Sequence, residues 1–329
     1  MVLERQAPVD TAPLRLREAP VPEPGPGETR VRVRACGLCR TDLHVIEGDL
    51  SPHRLPLIPG HQVVGVVDRN GPGAGRFREG DRIGIAWLRH TDGSCAYCRS
   101  GRENLCESSR FTGYDADGGY AEYAVVPEAF AYAIPDVFGD AAATPLLCAG
   151  IIGYRALERS ETPRGGRLGL WGFGSSAHIT IQVARARGIE VYVATRGAKH
   201  QALAREMGAS WVGGATDPLP VRVHGGILFA PAGEIVPIAL RSIDKGGTLA
   251  IAGIWLSDIP PLNYELELFY ERNLRSVTAN TRADGEALLR EAAVIPLRPR
   301  VTTFPLEDAN RALQLLKKDG LNGTGVLLP

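Results

Sequence analysis

The stretch Arg167-Leu-Gly-Leu-Trp171-Gly172-Phe-Gly174-Ser-Ser-Ala177-His178 decides the fold of the second half of this chain. Its first five residues predict a short buried strand, and the apolar spacing that follows predicts a helix. A G-x-G-x-x-A pattern between a strand and a helix is typical of the turn whose free N–H groups receive the pyrophosphate of a dinucleotide. The candidate cofactor-binding residues in this turn are Gly172, Gly174, Ser175, Ser176 and Ala177.

Further strand patterns alternate with helical patterns along this half of the chain. The strand patterns lie at residues 190–195, 211–213, 226–230 and 246–254. Alternation of strands and helices is typical of an α/β domain with a parallel sheet. The sequence therefore predicts a Rossmann-type, doubly wound parallel sheet.

The end of the second predicted strand indicates which dinucleotide is bound. An NAD site usually has Asp or Glu here, hydrogen-bonded to the adenosine ribose 2′-hydroxyl, and this chain has Thr195 and Arg196. Arginine is a bidentate partner of phosphate, so these two residues suit the 2′-phosphate of NADP better. We expect NADP rather than NAD, with NAD as the alternative.

A second informative stretch, Cys36-Gly-Leu-Cys39-Arg-Thr-Asp-Leu-His44, is followed by Pro59-Gly-His61. A redox Cys-x-x-Cys motif would explain only the two cysteines. A metal site explains more of the polar residues, because a catalytic zinc takes three protein ligands and keeps one open position. Cys39 and His61 are candidate zinc ligands, and a third ligand is expected downstream.

Three further cysteines lie in one polar loop, at Cys95, Cys98 and Cys106. A buried cysteine often packs as a small apolar residue, but cysteines seldom cluster in a polar loop for that reason. The spacing therefore predicts a structural metal site. Such a site holds a lobe of the protein together and takes no part in catalysis.

Length and composition agree with a two-domain enzyme. The 329 residues suffice for two cores, and a formal net charge of zero gives no indication of nucleic acid or a membrane surface as partner. The start of the chain lacks the pattern of a signal peptide, and six cysteines without a secretion signal suggest reduced thiols and metal. We expect a cytoplasmic protein.

Taken together, these motifs resemble the zinc-dependent alcohol dehydrogenases of the medium-chain dehydrogenase/reductase superfamily over essentially the full length. The resemblance implies a GroES-like, mostly-β catalytic domain at 1–149 and 286–329 around a dinucleotide-binding domain at 150–285. Cys148, at the head of an apolar segment, would by itself be a buried core cysteine, but the resemblance implies that it supplies the third catalytic zinc ligand. The resemblance also places Asp92 where the family has the first of four structural cysteines. A carboxylate can ligate zinc, and a partly occupied site is the alternative.

The resemblance also implies roles for the residues beside Cys39. Thr41 would bond the substrate oxygen and start a proton relay that ends at His44. Arg40 would contact the cofactor pyrophosphate. Asp42 would hold the ligand His61 from behind, with a helix cap or turn residue as the alternative.

Two positions near the predicted zinc ligands differ from the family or have an open role. Gln62 stands where the family usually has Glu, which removes a negative charge near the metal. Trp87 stands where relatives have an aromatic wall of the substrate pocket, which would favour small or unbranched primary alcohols. A core residue is the alternative for Trp87.

These expectations combine into one functional prediction. The chain is predicted to be an oxidoreductase with two zinc ions that interconverts primary alcohols, and possibly secondary alcohols, with aldehydes or ketones by hydride transfer to or from NAD(P). A homodimer or homotetramer acting on a small molecule is expected. The alternatives are a zinc-free NADPH reductase of activated double bonds and a non-enzymatic dinucleotide sensor.

Overall fold

The computed structural model describes residues 1–51 and 53–329 and divides the chain into two compact units. The first unit comprises Met1–Cys148, Ala279–Ala293 and Pro299–Pro329. The second comprises Ala149–Thr278 and Val294–Arg298. The residues from 279 to 285, which the sequence places in the dinucleotide-binding domain, therefore group with the first unit.

The helices and strands are named in chain order. The strands are β1 (Val2–Leu3), β2 (Leu14–Arg15), β3 (Glu28–Gly37), β4 (Gln62–Asn70), β5 (Arg82–Ile85), β6 (Leu88–His90), β7 (Arg110–Phe111), β8 (Tyr123–Pro127), β9 (Ala131–Ala133), β10 (Arg167–Trp171), β11 (Glu190–Ala194), β12 (Trp211–Gly213), β13 (Val223–Leu228), β14 (Ile243–Ile251), β15 (Asn273–Ser276), β16 (Val301–Pro305) and β17 (Thr324–Leu328). The α-helices are α1 (Arg40–Glu47), α2 (Ala96–Arg99), α3 (Asp140–Ala143), α4 (Ala149–Arg159), α5 (Ser175–Ala186), α6 (Ala198–Glu206), α7 (Ile235–Ser242), α8 (Arg282–Ala292) and α9 (Ala309–Lys317).

The first unit is built on a mostly antiparallel sheet with the order β16-β17-β3-β4-β5-β9, in which β8 also pairs with β3. Strand β3 alternates buried valines with arginines, so Val31 and Val33 face the core while Arg32 and Arg34 are exposed. Such alternation is typical of an antiparallel sheet that has one face packed on the core and the other exposed to solvent. Strand β4 runs antiparallel to β3, with Gly37 opposite Gln62.

The second unit contains a parallel sheet with the order β12-β11-β10-β13-β14-β15. Strand β10, which precedes the glycine turn, lies in the middle of the sheet between β11 and β13. In open parallel sheets, the point where the strand order reverses is where a dinucleotide binds, outside the carboxyl ends of the strands. The predicted fold class, a Rossmann sheet plus a GroES-like domain, is confirmed.

Glycines make room for a large side chain in the core of this parallel sheet. Trp171 is fully buried, and a Cβ at Gly169 or Gly226 would lie within 2.6 Å or 2.5 Å of its indole ring. Because a contact that short is impossible, these strand positions must be glycine while the indole stays in place.

Among the described residues, no helix is both long and apolar enough to cross a bilayer.

Candidate active site

The ends of two paired strands and the start of a helix bring the predicted zinc ligands together. Strand β3 leaves the sheet at Gly37, and Cys39 is the N-cap of helix α1. His61 directly precedes strand β4, whose first residue pairs with Gly37. Cys148 lies between a 3₁₀ turn and helix α4. Residues far apart in the chain therefore converge in the first unit.

The distances among these three side chains suit a tetrahedral metal ion. The Cys39 and Cys148 sulfurs lie 3.7 Å apart, and Nε2 of His61 lies 3.3 Å from the Cys148 sulfur. Two thiolates bound tetrahedrally at about 2.3 Å from zinc are about 3.8 Å apart. The three candidate ligand atoms lie within 4.8 Å of one another. The donor set and its spacing therefore fit zinc.

The His61 ring is oriented by a buried carboxylate. Oδ1 of Asp42 lies 3.1 Å from Nδ1 of His61, an ion-pair distance without the alignment of a hydrogen bond among the described residues, and Nε2 on the other side of the ring faces Cys148. Oδ2 of Asp42 accepts a hydrogen bond from the backbone N–H of Cys39 at 2.8 Å. Asp42 therefore meets both interpretations given for it, since it caps helix α1 and lies against His61. Its carboxylate is almost completely buried.

The side chains of this cluster shift one another's pKa values. Burial works against a charged His61 ring, but Asp42 and Cys39 outweigh it and raise the pKa of His61 to about 10. A hydrogen bond from Cys148 is the largest of the effects that hold the pKa of Cys39 well below its ordinary value. That same hydrogen bond holds the pKa of Cys148 well above its ordinary value. In this cluster negative charge is therefore favoured on the Cys39 sulfur, while the His61 ring and the Cys148 thiol hold their protons. Binding of a metal ion by these side chains would release those protons.

The predicted proton relay begins and ends on helix α1. Thr41 is nearly buried, and its hydroxyl lies 3.5 Å from the Cys39 sulfur. His44 lies three residues further along the helix, a spacing that puts both side chains on one face. Nδ1 of His44 lies 2.7 Å from a carboxylate oxygen of Asp49. Sequence analysis did not identify Asp49, although it lies just after the Gly48 that ends the helix.

Arg40, Gln62 and Trp87 have different surroundings. The exposed Arg40 guanidinium donates to Asp319 at 2.9 Å, a surface pair that is easily exchanged for another anion. Gln62 is buried, and among the described residues its Oε1 has no hydrogen-bond partner. Trp87 is partly buried and meets the His61 ring edge-on, with centroids 4.9 Å apart.

An aromatic side chain that sequence analysis did not identify packs against Trp87. Phe111 stacks on Trp87 with a centroid separation of 4.9 Å and an interplanar angle of 16°. Phe111 lies on β7, and the pairing of β6 with β7 places it opposite Leu88. An aromatic residue five positions after Cys106 is too weak a signal to reveal this contact from the sequence.

The second group of candidate metal ligands lies in the loop from 92 to 106, also in the first unit. Its four ligand atoms lie within 4.8 Å of one another and come from Asp92, Cys95, Cys98 and Cys106. Oδ1 of Asp92 accepts hydrogen bonds from the N–H groups of Cys95 at 2.8 Å and Ser94 at 2.7 Å. These bonds hold the pKa of Asp92 well below its usual range, so it is ionised like a thiolate ligand.

The dinucleotide turn in the second unit has the geometry that its sequence predicts. Gly172 has φ +90°, a conformation that favours glycine, and nothing lies within 4 Å of a Cβ at Gly174. The N–H of Gly172 donates to the carbonyl of Ala194, which places the turn beside the end of β11. Thr195 there is buried and Arg196 is exposed. Helix α5 begins at Ser175, and Ser176 and the buried Ala177 follow in its first turn.

Comparison with known proteins agrees with this fold. The family description "Alcohol dehydrogenase GroES-like domain" matches residues 25–136. "Probable alcohol dehydrogenase AdhA" of Mycobacterium tuberculosis (strain CDC 1551 / Oshkosh) is 54% identical over 331 aligned positions, covering 99% of this chain and 96% of that protein. An alcohol dehydrogenase of Geobacillus stearothermophilus is 35% identical over 325 positions, covering 96% of each chain.

A solved structure shows the same architecture. The cobalt- and zinc-bound thermostable alcohol dehydrogenase from Pyrobaculum aerophilum superposes with a TM-score of 0.88 at 25% identity, covering 100% of this chain and 98% of that one. The fold is that of a dehydrogenase with a Rossmann domain. The chain belongs to the zinc-dependent alcohol dehydrogenases of the medium-chain dehydrogenase/reductase superfamily, and it is an NAD(P)-dependent enzyme.

Proposed function

We propose that Cys39, His61 and Cys148 hold a catalytic zinc ion on which the oxidation of primary alcohols and the reverse reduction depend. The convergence of two sulfurs and one imidazole nitrogen within 4.8 Å carries this proposal. Zinc bound there supplies a Lewis acid that polarises the substrate oxygen. Alcohol oxidation releases a hydride from carbon, which goes to the nicotinamide C4, and a proton from the hydroxyl, which goes to solvent.

The residues of helix α1 would handle that proton. The Thr41 hydroxyl, beside the Cys39 sulfur, would accept a hydrogen bond from the alcohol and pass the proton on. His44 has 24% of its side chain exposed, so it can release the proton to water. The carboxylate of Asp49 holds the His44 ring. Asp42 would keep His61 in the tautomer whose Nε2 is free to bind metal.

The proposal is tested with a matched pair of cysteine variants. Cys148→Ala should lose one zinc per chain and all alcohol oxidation while still binding NAD(P). Cys36→Ala is the control, because Cys36 is a fully buried thiol outside both ligand groups. Full turnover of Cys148→Ala would refute the ligand assignment. Chelator-resistant reduction of enones would favour a zinc-free reductase, and cofactor binding without any turnover would favour a sensor.

We also propose that a second, structural zinc occupies the Asp92 group, so that the chain holds two zinc ions. All four side chains provide an ionisable ligand atom. Metal analysis of the purified enzyme should therefore give two zincs per chain, falling to one in Cys148→Ala. One zinc in the unaltered enzyme, unchanged in Cys148→Ala, would contradict the catalytic assignment. One zinc that is lost in Cys148→Ala would contradict the second site.

NADP is the preferred cofactor in this proposal. Arg196 follows β11 at the position that the 2′-group of the adenosine ribose reaches in Rossmann folds, and its side chain is exposed. Arg196→Ala should raise the KM for NADP and leave that for NAD nearly unchanged. Arg164→Ala serves as the control. It removes another exposed arginine, which lies before the first residue of β10 and therefore at the edge of the sheet away from the dinucleotide turn. Equal effects on both cofactors would argue against a 2′-phosphate contact.

The proposal extends to the assembly, the substrate and the location of the enzyme. A homodimer or homotetramer stays a prediction, for which light scattering of the purified enzyme is the direct measurement. Trp87 lies edge-on to His61 and Phe111 stacks on Trp87, and this bulk beside the candidate zinc ligand supports a preference for unbranched primary alcohols. A substrate series that compares primary, branched and secondary alcohols tests this preference. The cytoplasmic location also stays a prediction.

A further inference from the structure

The segment Gly118-Gly119-Tyr120 runs along the turn that precedes His61. Three backbone hydrogen bonds, of 2.7 to 3.0 Å, join the N–H groups of residues 118–120 to the carbonyls of residues 58–60. The donor–acceptor pairs are Gly118 to Ile58, Gly119 to Gly60, and Tyr120 to Pro59. The backbone that leads into His61 is therefore held by the segment that ends in Tyr120.

The ring of Tyr120 occupies space that only a glycine leaves open. Gly60 has φ +97°, and a Cβ there would lie 2.3 Å from the Tyr120 ring. Tyr120 is completely buried, as is His61. Close packing of this kind leaves the phenol a single place in the interior.

The Tyr120 hydroxyl reaches the carboxylate that orients His61. It donates to Oδ2 of Asp42 at 2.9 Å, while Oδ1 of the same carboxylate lies 3.1 Å from Nδ1 of His61. A buried carboxylate can rotate about its side-chain torsions unless both oxygens are engaged. The tyrosine hydrogen bond, together with the Cys39 N–H on the same oxygen, prevents that rotation.

We propose that Tyr120 is a positioning residue for the zinc site: its hydroxyl fixes Asp42 so that Asp42 holds His61 with Nε2 toward Cys39 and Cys148. This inference rests on the proposed role of His61 as a zinc ligand. Partners of ligating histidines typically contribute about 10- to 100-fold to metal affinity. Tyr120 contacts Asp42 and not His61 itself, so we expect its loss to lower zinc affinity by a factor near the lower end of that range.

The test is Tyr120→Phe, which removes one oxygen atom and keeps the buried ring. Zinc release from the holoenzyme to a competing chelator should show affinity lowered by about tenfold. Cofactor binding should be unchanged. Tyr132→Phe is the matched control, since Tyr132 is a buried tyrosine in the same unit whose hydroxyl has no hydrogen-bond partner among the described residues. It should release zinc as the unaltered enzyme does.

Two double variants separate an effect of Tyr120 on the orientation of His61 from a general loss of packing in the core. Tyr120→Phe combined with Asp42→Asn should bind zinc as Asp42→Asn alone does, because both changes act through one contact. Tyr120→Phe combined with Cys148→Ala should leave the remaining zinc unaffected, because that zinc belongs to the Asp92 group. Urea unfolding of each variant measures the loss of packing separately.

The outcomes distinguish this inference from the proposed function. Unchanged zinc release in Tyr120→Phe would overturn the positioning role, and so would an effect that adds fully to that of Asp42→Asn. In both cases, loss of zinc from Cys148→Ala would leave the proposed function intact. Retention of both zincs in Cys148→Ala would overturn the proposed function itself, whatever Tyr120→Phe does.

Discussion

Glu103 accepts hydrogen bonds from both the backbone N–H and the guanidinium of Arg282, 179 positions further along the chain. The backbone bond is 2.7 Å long and the shortest guanidinium bond is 2.6 Å. Glu103 lies between Cys98 and Cys106, and Arg282 is the first residue of helix α8. The loop that carries the second candidate metal site is therefore tied to this helix.

We expect Glu103→Gln to lower the free energy of unfolding by about 1–2 kcal/mol at neutral pH, since hydrogen bonds to charged groups contribute somewhat more than neutral ones and exposed ion pairs contribute less. The Glu103 side chain is 11% exposed and that of Arg282 is 37% exposed, so solvent screens part of the attraction. Urea unfolding measures the change. Glu107→Gln, at an exposed position one residue after Cys106, should change stability little, and an equal loss there would contradict the assignment.

The contribution of Glu103 should depend on pH in a defined direction. Partial burial raises the pKa of Glu103, but the bonds from Arg282 outweigh it, and the pKa lies below its ordinary value. A lowered carboxyl pKa stabilises the fold above the unfolded pKa of about 4.3, and this stabilisation is lost as pH falls through the folded pKa. The stability difference between the unaltered protein and Glu103→Gln should therefore be constant near neutrality and shrink in acid. A difference that grows in acid would refute this.

Asp92→Asn should weaken the second metal site while keeping its turn. The amide oxygen of Asn can still accept the N–H groups of Ser94 and Cys95, so the loop geometry is preserved. The negative charge of the ligand is lost. Loss of a residue that only contacts a metal ligand lowers metal affinity by about tenfold or more, so loss of a charged ligand should lower zinc affinity by more than tenfold. Chelator competition measures this. Asp92→Cys restores the charge and should hold zinc, whereas equal retention by Asp92→Asn would argue against ligation.

Thr41→Val should lower turnover by about 10²-fold or more, since it removes the hydroxyl that is proposed to accept the alcohol proton. Val keeps the β-branched shape, so helix α1 should persist and zinc content should not change. Thr41→Ser, which retains the hydroxyl, should recover most of the turnover. Steady-state kinetics with one primary alcohol measures both. Equal activity of the Val and Ser variants would exclude Thr41 from the relay.

Gly60→Ala should destabilise the protein by about 2–5 kcal/mol, from left-handed backbone strain of about 1–2 kcal/mol plus an overpacking cost of about 1–3 kcal/mol. The overpacking arises because the new Cβ would lie 2.3 Å from Tyr120. Gly73→Ala is the control, because Gly73 also has positive φ and has nothing within 4 Å of a Cβ. Urea unfolding of the two variants isolates the clash, and equal destabilisation would show that the Tyr120 ring gives way.

The strand and the helix that flank the dinucleotide turn could be predicted from the sequence alone. The strand before Gly172 and the helix after Gly174 are where the sequence predicts them, since hydrophobic period and glycine placement are local properties. The metal ligands were identified through a family resemblance and residue type. The pattern around Cys148 alone would have favoured a buried core cysteine.

The sequence by itself determined the fold class, the family and the residue types able to bind metal and dinucleotide, because these depend on periodicity, glycine positions and ligand chemistry. Only the tertiary structure decided which side chains pair with one another around them: Tyr120 with Asp42, Asp49 with His44 and Arg282 with Glu103. The reason is physical. The contacts between Tyr120 and Asp42 and between Arg282 and Glu103 form because segments far apart in the chain pack together. The periodicity of each segment depends only on its own residues, so it cannot predict these contacts.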